Sequence, residues 1–148
     1  MLRRSARQSG YTIAELAIAL FLSSAIAATA VPAASKILQQ HRLAGVSRRL
    51  GFEIARARMQ AVGQNCFMRI AVFGNNLYRR ESSTDGVTYQ SAGEVTMLPT
   101  GFTMQAGGTG TPRFDRQGLA PAATAITVSG PQGSQTISTT ILGRVTTS

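Results

Sequence analysis

The chain has 148 residues, and its 15 lysines and arginines against six carboxylates give a net charge of +9. This length allows one membrane helix and one small domain with a modest core. A single cysteine, Cys66, excludes a disulfide within the chain. With one histidine, His41, and scattered carboxylates, we expect no metal, no cofactor and no catalytic cluster, and hence a protein that is not an enzyme.

The amino-terminal part of the chain is a basic segment followed by an apolar run. Residues 1–10 contain three arginines, and residues 11–31 contain Glu15 as their only charge. The run has the ~20 residues that a helix needs to cross a hydrocarbon core, so we predict a transmembrane helix over 11–31. A carboxylate in such a helix costs free energy, so Glu15 is expected to have a partner.

A backbone amine is the partner that we predict for Glu15. Cleavage between Gly10 and Tyr11 would create a free amino group on Tyr11, and Glu15 lies one helical turn away. The carboxylate would neutralise this amine, or the same amine of a neighbouring subunit.

These residues resemble a known signal. A basic leader ending in Gly10, then aromatic Tyr11, Thr12 and Glu15, is similar to the class III signal of type IV pilins and pseudopilins, in which phenylalanine is usual at the position of Tyr11. The resemblance implies cleavage after Gly10 by a prepilin peptidase and methylation of the new amino terminus. It also implies a single-pass bacterial inner membrane protein, with its amino terminus in the cytoplasm and its carboxy-terminal domain in the periplasm.

An ordinary secretory signal is the alternative interpretation. Ala28-Thr29-Ala30 resembles a signal peptidase site, and cleavage there would release a soluble β-rich protein beginning at Val31. Against this alternative, the apolar run is long for a signal peptide and Glu15 inside it would be unexplained. Sequencing of the mature amino terminus distinguishes a start at Tyr11 from a start at Val31.

Residues 32–65 are predicted to continue the helix as an amphipathic segment. Pro32 removes one backbone hydrogen bond and predicts a kink or local melting, at the position where pilins also carry a helix-breaking proline. Helical periodicity then resumes, and Gly63-Gln64-Asn65 is the predicted stop. One apolar stripe has the spacing of a helix face packed on a domain: Leu43, Val46, Leu50, Ile54, Ala57 and Ala61.

A second stripe of the same helix is basic. Arg42, Arg49 and Arg56 recur every seven residues and therefore share one face. Solvent exposure is the simplest interpretation of this stripe. A sharper hypothesis is attraction to the anionic membrane surface before assembly and to acidic groups of neighbouring subunits afterwards.

Residues 66–148 have the pattern of an extracytoplasmic β domain, with short apolar runs between turns. Two hairpins are predicted, one around Gly74-Asn75-Asn76 and one around Gly130–Gly133. The predicted strands are Phe67–Phe73, Leu77–Glu81, Val87–Gln90, Val95–Leu98, Phe102–Gln105, Thr124–Ser129 and Gln135–Leu142. Residues 106–112 are interpreted as a Gly/Thr-rich connection, because they lack the ending of a phosphate-binding loop.

Three internal segments narrow the resemblance to the GspH/FimT family of minor pseudopilins and minor pilins: Ala55–Ala61, Phe114–Gly118 and Ile141–Val145. The family implies an α+β pilin-like fold, with a long amino-terminal helix packed on a small antiparallel β-sheet or sandwich domain. It also implies a structural subunit of a type II secretion pseudopilus or a type IV pilus, whose partners are other pilins in a fibre.

A DNA receptor for uptake in natural transformation is the second functional hypothesis. Some DNA-binding members of the family carry a Gly-Arg-x-Arg tail, whereas this chain has Thr146 in place of the second arginine. Arg113, Arg116 and Arg144 are the candidate phosphate contacts. A solvated surface is the simpler interpretation of these arginines, because the β domain has only a small excess of positive charge.

Overall fold

The structure is a computed structural model that describes residues 12–108 and 110–148, without the side chains of residues 29–33. The predicted processing residues, Gly10 and Tyr11, lie outside the described residues. The chain divides into two compact units, Met1–Ile37 and Leu38–Ser148. The second unit contains the later part of the helix together with all the strands of the described residues.

A 51-residue α-helix, α1 (Ile13–Gly63), covers residues 13–31 of the predicted apolar segment and residues 32–63 of its predicted continuation. The backbone is helical at position 32, so the continuation past Pro32 is confirmed, while local melting there is wrong. In the part of the chain that the structure describes, no helix combines the length and the apolar character of a membrane span. The transmembrane segment over residues 11–31 stays a prediction.

The helix ends at the predicted stop, where the backbone conformation of Asn65 terminates it. Asn65 has a φ of +50°, a left-handed conformation that asparagine tolerates better than most residues. The Cys66 amide donates to the Ala61 carbonyl at 3.1 Å and the Asn65 amide donates to the Val62 carbonyl at 3.4 Å. These two bonds form a Schellman motif, which satisfies carbonyl groups that the helix would otherwise leave unpaired.

The strands form two antiparallel sheets. The strands of the first sheet are β1 (Phe67–Phe73), β2 (Leu77–Ser83), β3 (Gln90–Ser91), β4 (Thr96–Met97) and β6 (Arg113–Phe114). Those of the second are β5 (Thr103–Ala106), β7 (Thr124–Gly130), β8 (Gly133–Thr139) and β9 (Val145–Thr147). The first sheet has the order β3-β2-β1-β6, with β4 also paired to β2, and the second has the order β5-β7-β8-β9.

Both predicted hairpins are confirmed, as β1–β2 and β7–β8. The predicted strand over Val87–Gln90 is wrong except at its last residue. The Asp85 carboxylate accepts hydrogen bonds from the amides of Val87 at 2.9 Å and Thr88 at 2.8 Å, so these amides are held in a turn and not in a sheet.

The last predicted strand, Gln135–Leu142, ends early, at Thr139. The Gly143 amide donates to the Thr140 carbonyl at 2.8 Å, and Gly143 has a φ of +73°. This turn reverses the chain and pairs β9 with β8, a pairing that the sequence analysis did not predict. The short strand β6 was also not predicted.

The core of the second unit lies between the helix and the sheets. The predicted apolar stripe faces this core, where five of its six residues are buried and Val46 is partly buried. Cys66 is buried, and its free thiol packs there as a small apolar group. The sheets supply the other large buried side chains: Met68, Ile70, Tyr78, Met104, Phe114, Ile126, Val128 and Ile137. An α+β fold with a helix packed on antiparallel sheets is therefore confirmed.

Candidate functional site

The first candidate site is the start of the helix, where Glu15 has a partner that the sequence analysis missed. The Thr12 amide and hydroxyl both donate to Oε2 of Glu15, at 2.9 and 3.1 Å, and the Glu15 amide donates to the Thr12 hydroxyl at 3.2 Å. This reciprocal pattern is a capping box, whose sequence signature is Thr-x-x-Glu. The carboxylate thus lies at the positive end of the helix and beside the backbone of residue 12.

The second candidate site is the basic stripe of α1. Arg42, Arg49 and Arg56 are exposed, as predicted. Within the described residues, none of the three makes a hydrogen bond or an ion pair. Their guanidinium groups are therefore available to another molecule.

The three arginines proposed as phosphate contacts have different surroundings. Arg113 lies in β6 and Arg144 in the turn before β9, and both side chains are exposed. The guanidinium of Arg116 donates to the Thr84 carbonyl at 2.6 Å and lies 5.2 Å from the centroid of the Phe67 ring. Arg116 therefore holds the loop of residues 84–89 against β1, which is a structural role.

The three segments that carry the family resemblance meet at Arg58. Its Nε donates to the Gly118 carbonyl at 2.9 Å. A Cβ on Gly143 would lie 2.5 Å from Nε of Arg58 and closer still to the Gly118 carbonyl oxygen, so only glycine fits there. The contact fastens the helix to the turn before β7 and to the turn before β9. The segments are Ala55–Ala61, Phe114–Gly118 and Ile141–Val145.

A buried carboxylate with two arginines occupies one face of the first sheet. Glu81 is 3% exposed, and its two oxygens accept from Arg69 and Arg79 at 2.7–2.8 Å. Burial opposes the charged form of Glu81, but the hydrogen bonds from Arg79 and Arg69 outweigh it and lower the pKa of this carboxyl. Each guanidinium also lies over an aromatic ring, Arg69 over Tyr89 and Arg79 over Phe73.

On the opposite face of the sheet, Arg80 contacts the helix. Its Nε lies 3.2 Å from a carboxylate oxygen of Glu53, and its Nη1 donates to the side-chain oxygen of Gln60. These pairings depend on strand register, so the residue spacing alone did not predict them. Among the described residues, no group of histidine, cysteine and carboxylate side chains could hold a metal ion.

Comparison with known proteins finds the fold but not a sequence family. Neither protein-family models nor curated proteins match the sequence. The structure is similar to two crystal forms of the type IV minor pilin FimU of Pseudomonas aeruginosa. One gives a TM-score of 0.62 at 14% identity and covers 76% of this chain and 92% of that chain. The other gives a TM-score of 0.59 at 16% identity, with 72% and 92% covered. The predicted pilin-like fold is confirmed.

Proposed function

We propose that the protein is a minor pilin-type subunit with a structural and not an enzymatic role, built into a type IV pilus or a type II secretion pseudopilus. One observation carries this proposal. In a chain whose fold is similar to that of FimU, Thr12 caps the start of the long helix and pairs with Glu15, and Gly10 and Tyr11 directly precede Thr12. In the alternative of a secreted soluble protein, cleavage before Val31 would remove Glu15 from the mature chain.

In this proposal, a prepilin peptidase cuts after Gly10 and the Tyr11 amine becomes the new, methylated amino terminus. Residues 11–31 hold the subunit in the inner membrane, with the β domain in the periplasm. The support for this step is the sequence, in which three arginines precede a run whose only charge is Glu15.

Assembly then transfers the start of the helix from lipid to a fibre of pilin helices. The described side chains of residues 12–28 are all exposed. Neighbouring helices supply the cover, and the Glu15 carboxylate meets the amine of Tyr11 or of a neighbouring subunit. An unpaired buried charge costs several kcal/mol, so this pairing fixes the axial position of one subunit on the next.

The structure offers less to the DNA hypothesis than the sequence did. Of its three candidate contacts, Arg116 is already bound to Thr84 and Phe67. Arg113 and Arg144 are exposed, but Arg113 lies in β6 of the first sheet and Arg144 in the turn before β9 of the second. A salt-sensitive gel shift by the protein, lost on mutation of Arg113 and Arg144 to alanine, would revive this hypothesis.

Glu15→Gln is the variant that tests the proposal. Glutamine retains the capping-box hydrogen bonds but not the charge, so the helix start is preserved. The variant is expected to reach the membrane in normal amounts and to be strongly depleted from sheared fibres, as measured by immunoblotting. Glu94→Gln, at an exposed position of the β domain, is the matched control and should assemble normally.

Normal incorporation of Glu15→Gln into fibres would contradict the proposal. A mature amino terminus at Val31 would contradict it as well. The proteins that cross-link to the wild-type subunit in membranes would identify the machine as a pilus or a secretion pseudopilus.

A further inference from the structure

An open groove of about 430 Å³ lies in the Leu38–Ser148 unit, between the helix and the chain around β4. Tyr78, Leu98 and Phe102 contribute apolar surface to it and are all at least nine-tenths buried. Arg42 and Arg49 border it on the helix side. The groove therefore combines an apolar floor with two cations at its edge.

Gly45 keeps this groove accessible. It lies between the two arginines on the helix, and a Cβ added there would meet no atom within 4 Å. Glycine in a helix interior is less stable than alanine by about 1 kcal/mol, and no contact within the domain requires it at this position. The missing side chain leaves space for a group that comes from outside the chain.

The charges at the edge are not neutralised within the domain. Arg58 and Arg80, two other arginines at the helix–sheet contact, have hydrogen-bond partners, whereas Arg42 and Arg49 have none within the described residues. Seven residues of helix separate Arg42 from Arg49 by about 10 Å along the axis. Two carboxylates seven residues apart on a partner helix match this separation.

The same surface continues along the helix beyond the groove. Phe52 and Met59 are each 62% exposed, and they alternate with Arg49 and Arg56 at spacings of three and four residues. Such spacing makes one straight seam of the kind that packs against another helix. The seam of this helix alternates arginines with apolar or small residues.

A second copy of this chain does not fit the seam. Between residues 36 and 62 the helix carries six lysines and arginines, and Glu53, its only carboxylate there, already pairs with Arg80. Two copies would place guanidinium groups against guanidinium groups, which is destabilising. The partner must therefore differ in sequence.

We propose that the groove binds an acidic helical segment of a different subunit. An apolar side chain of that segment enters above Gly45, and carboxylates on either side of it pair with Arg42 and Arg49. This inference rests on the proposed function, and it names the chemistry of the neighbour: a helix with two carboxylates seven residues apart and an apolar residue midway between them.

Synthetic helical peptides test the proposal with the full chain in detergent micelles. The probe is a fluorescein-labelled peptide with Glu at two positions seven apart and Leu midway, and its binding is measured by anisotropy. A matched peptide with Gln for both Glu residues should bind about tenfold more weakly, because two exposed ion pairs are lost. Affinity for the Glu peptide should also fall as salt is raised.

Variants of the chain assign the binding to the groove. Gly45→Leu should abolish binding while leaving the thermal unfolding midpoint unchanged or higher, because the added side chain enters open space. The double change Arg42→Glu and Arg49→Glu should shift preference to a peptide with Lys in place of Glu. Arg48→Glu is the matched control, since Arg48 is exposed on the same helix but does not line the groove.

Equal binding of the Glu and Gln peptides would overturn the proposal, and so would unchanged binding by Gly45→Leu. Self-association that disappears in Arg49→Glu would show a second copy to be the partner instead. If nanodiscs of anionic lipid bind with the same dependence on variants and the Glu peptide does not, the partner is a membrane surface. None of these outcomes depends on Glu15, so each leaves the proposed function standing.

Discussion

Two stretches of one helix carry large apolar side chains in opposite surroundings. Between Ile13 and Ala28 every side chain is exposed, including Phe21 at 73%, whereas Leu50, Ile54 and Ala57 in the later stretch are fully buried. Burial of apolar surface is favourable in either stretch. The later stretch is covered by the sheets of its own unit, while the described side chains of the earlier one are exposed. Apolar sequence thus shows which side chains need burial but not what buries them.

The largest expected effect on the free energy of unfolding comes from truncating a leucine in the later stretch, and the same truncation in the earlier stretch is its control. Leu50→Ala should destabilise the domain by about 2–5 kcal/mol, because it leaves a cavity under the sheets. Leu20→Ala removes the same atoms from an exposed position and should leave domain stability within about 0.5 kcal/mol. Chemical denaturation of both variants in micelles measures the difference. Equal losses would show that the early stretch also belongs to the core of the chain.

A glycine pair tests how tightly the later stretch is fastened to the β domain. Gly143→Ala should cost about 2–4 kcal/mol, because its Cβ collides with Arg58 and Gly118 in addition to the strain of the left-handed backbone. Gly74→Ala has a similar φ of +62° but meets no atom within 4 Å. It should cost about 1 kcal/mol. If thermal denaturation gives the same loss for both, the contact at Arg58 contributes nothing.

A third comparison uses two carboxylates, Glu15 at the start of the helix and Glu81 in strand β2. Glu81→Gln should destabilise the domain by about 1.5–3 kcal/mol, since two charge-assisted hydrogen-bond partners lose their acceptor charge. Glu15→Gln, at an exposed position of the other unit, should leave domain stability unchanged. Denaturation at neutral pH measures both values.

Lowering the pH should remove the stability that Glu81 contributes, and should therefore affect wild type more than Glu81→Gln. The pKa of Glu81 is lowered in the folded state, so the unfolded state binds a proton first as the pH falls. The stability contributed by Glu81 is complete above the unfolded pKa of about 4.3 and is lost as the pH falls through the folded pKa. Wild type should therefore lose more stability than Glu81→Gln below about pH 5. Parallel pH profiles would contradict this assignment.

The smallest expected effect concerns the capping box. Thr12→Ala should weaken the first turn of the helix by about 1 kcal/mol, which corresponds to about fivefold faster amide exchange there. Thr12→Ser keeps the hydroxyl and should retain most of the protection. Amide exchange in the later stretch should not respond to either change, because its stability comes from packing on the sheets.

Much of the architecture was predictable because it depends on local pattern. The apolar stripe from Leu43 to Ala61, the stop near Asn65 and both long hairpins follow from periodicity and turn residues. Two of the errors share a cause, which is a side-chain or backbone contact that spans a turn. Asp85 holds the amides of the predicted third strand, and the turn at Gly143 ends β8 early to create β9.

The candidate sites also have features that the sequence predicts and features that depend on tertiary contacts. The sequence alone predicts the leader, the place of Glu15 at the helix start and the shared face of the basic stripe, because each is a relation between residues close in the chain. Only the tertiary structure decided which arginines have a hydrogen-bond or ion-pair partner. Four of them have partners on other elements: Arg58, Arg69, Arg80 and Arg116. Arg42 and Arg49, in contrast, border an open groove. Spacing along a helix or strand fixes the face on which a charge lies, but only the packing of distant elements determines whether that charge is already paired.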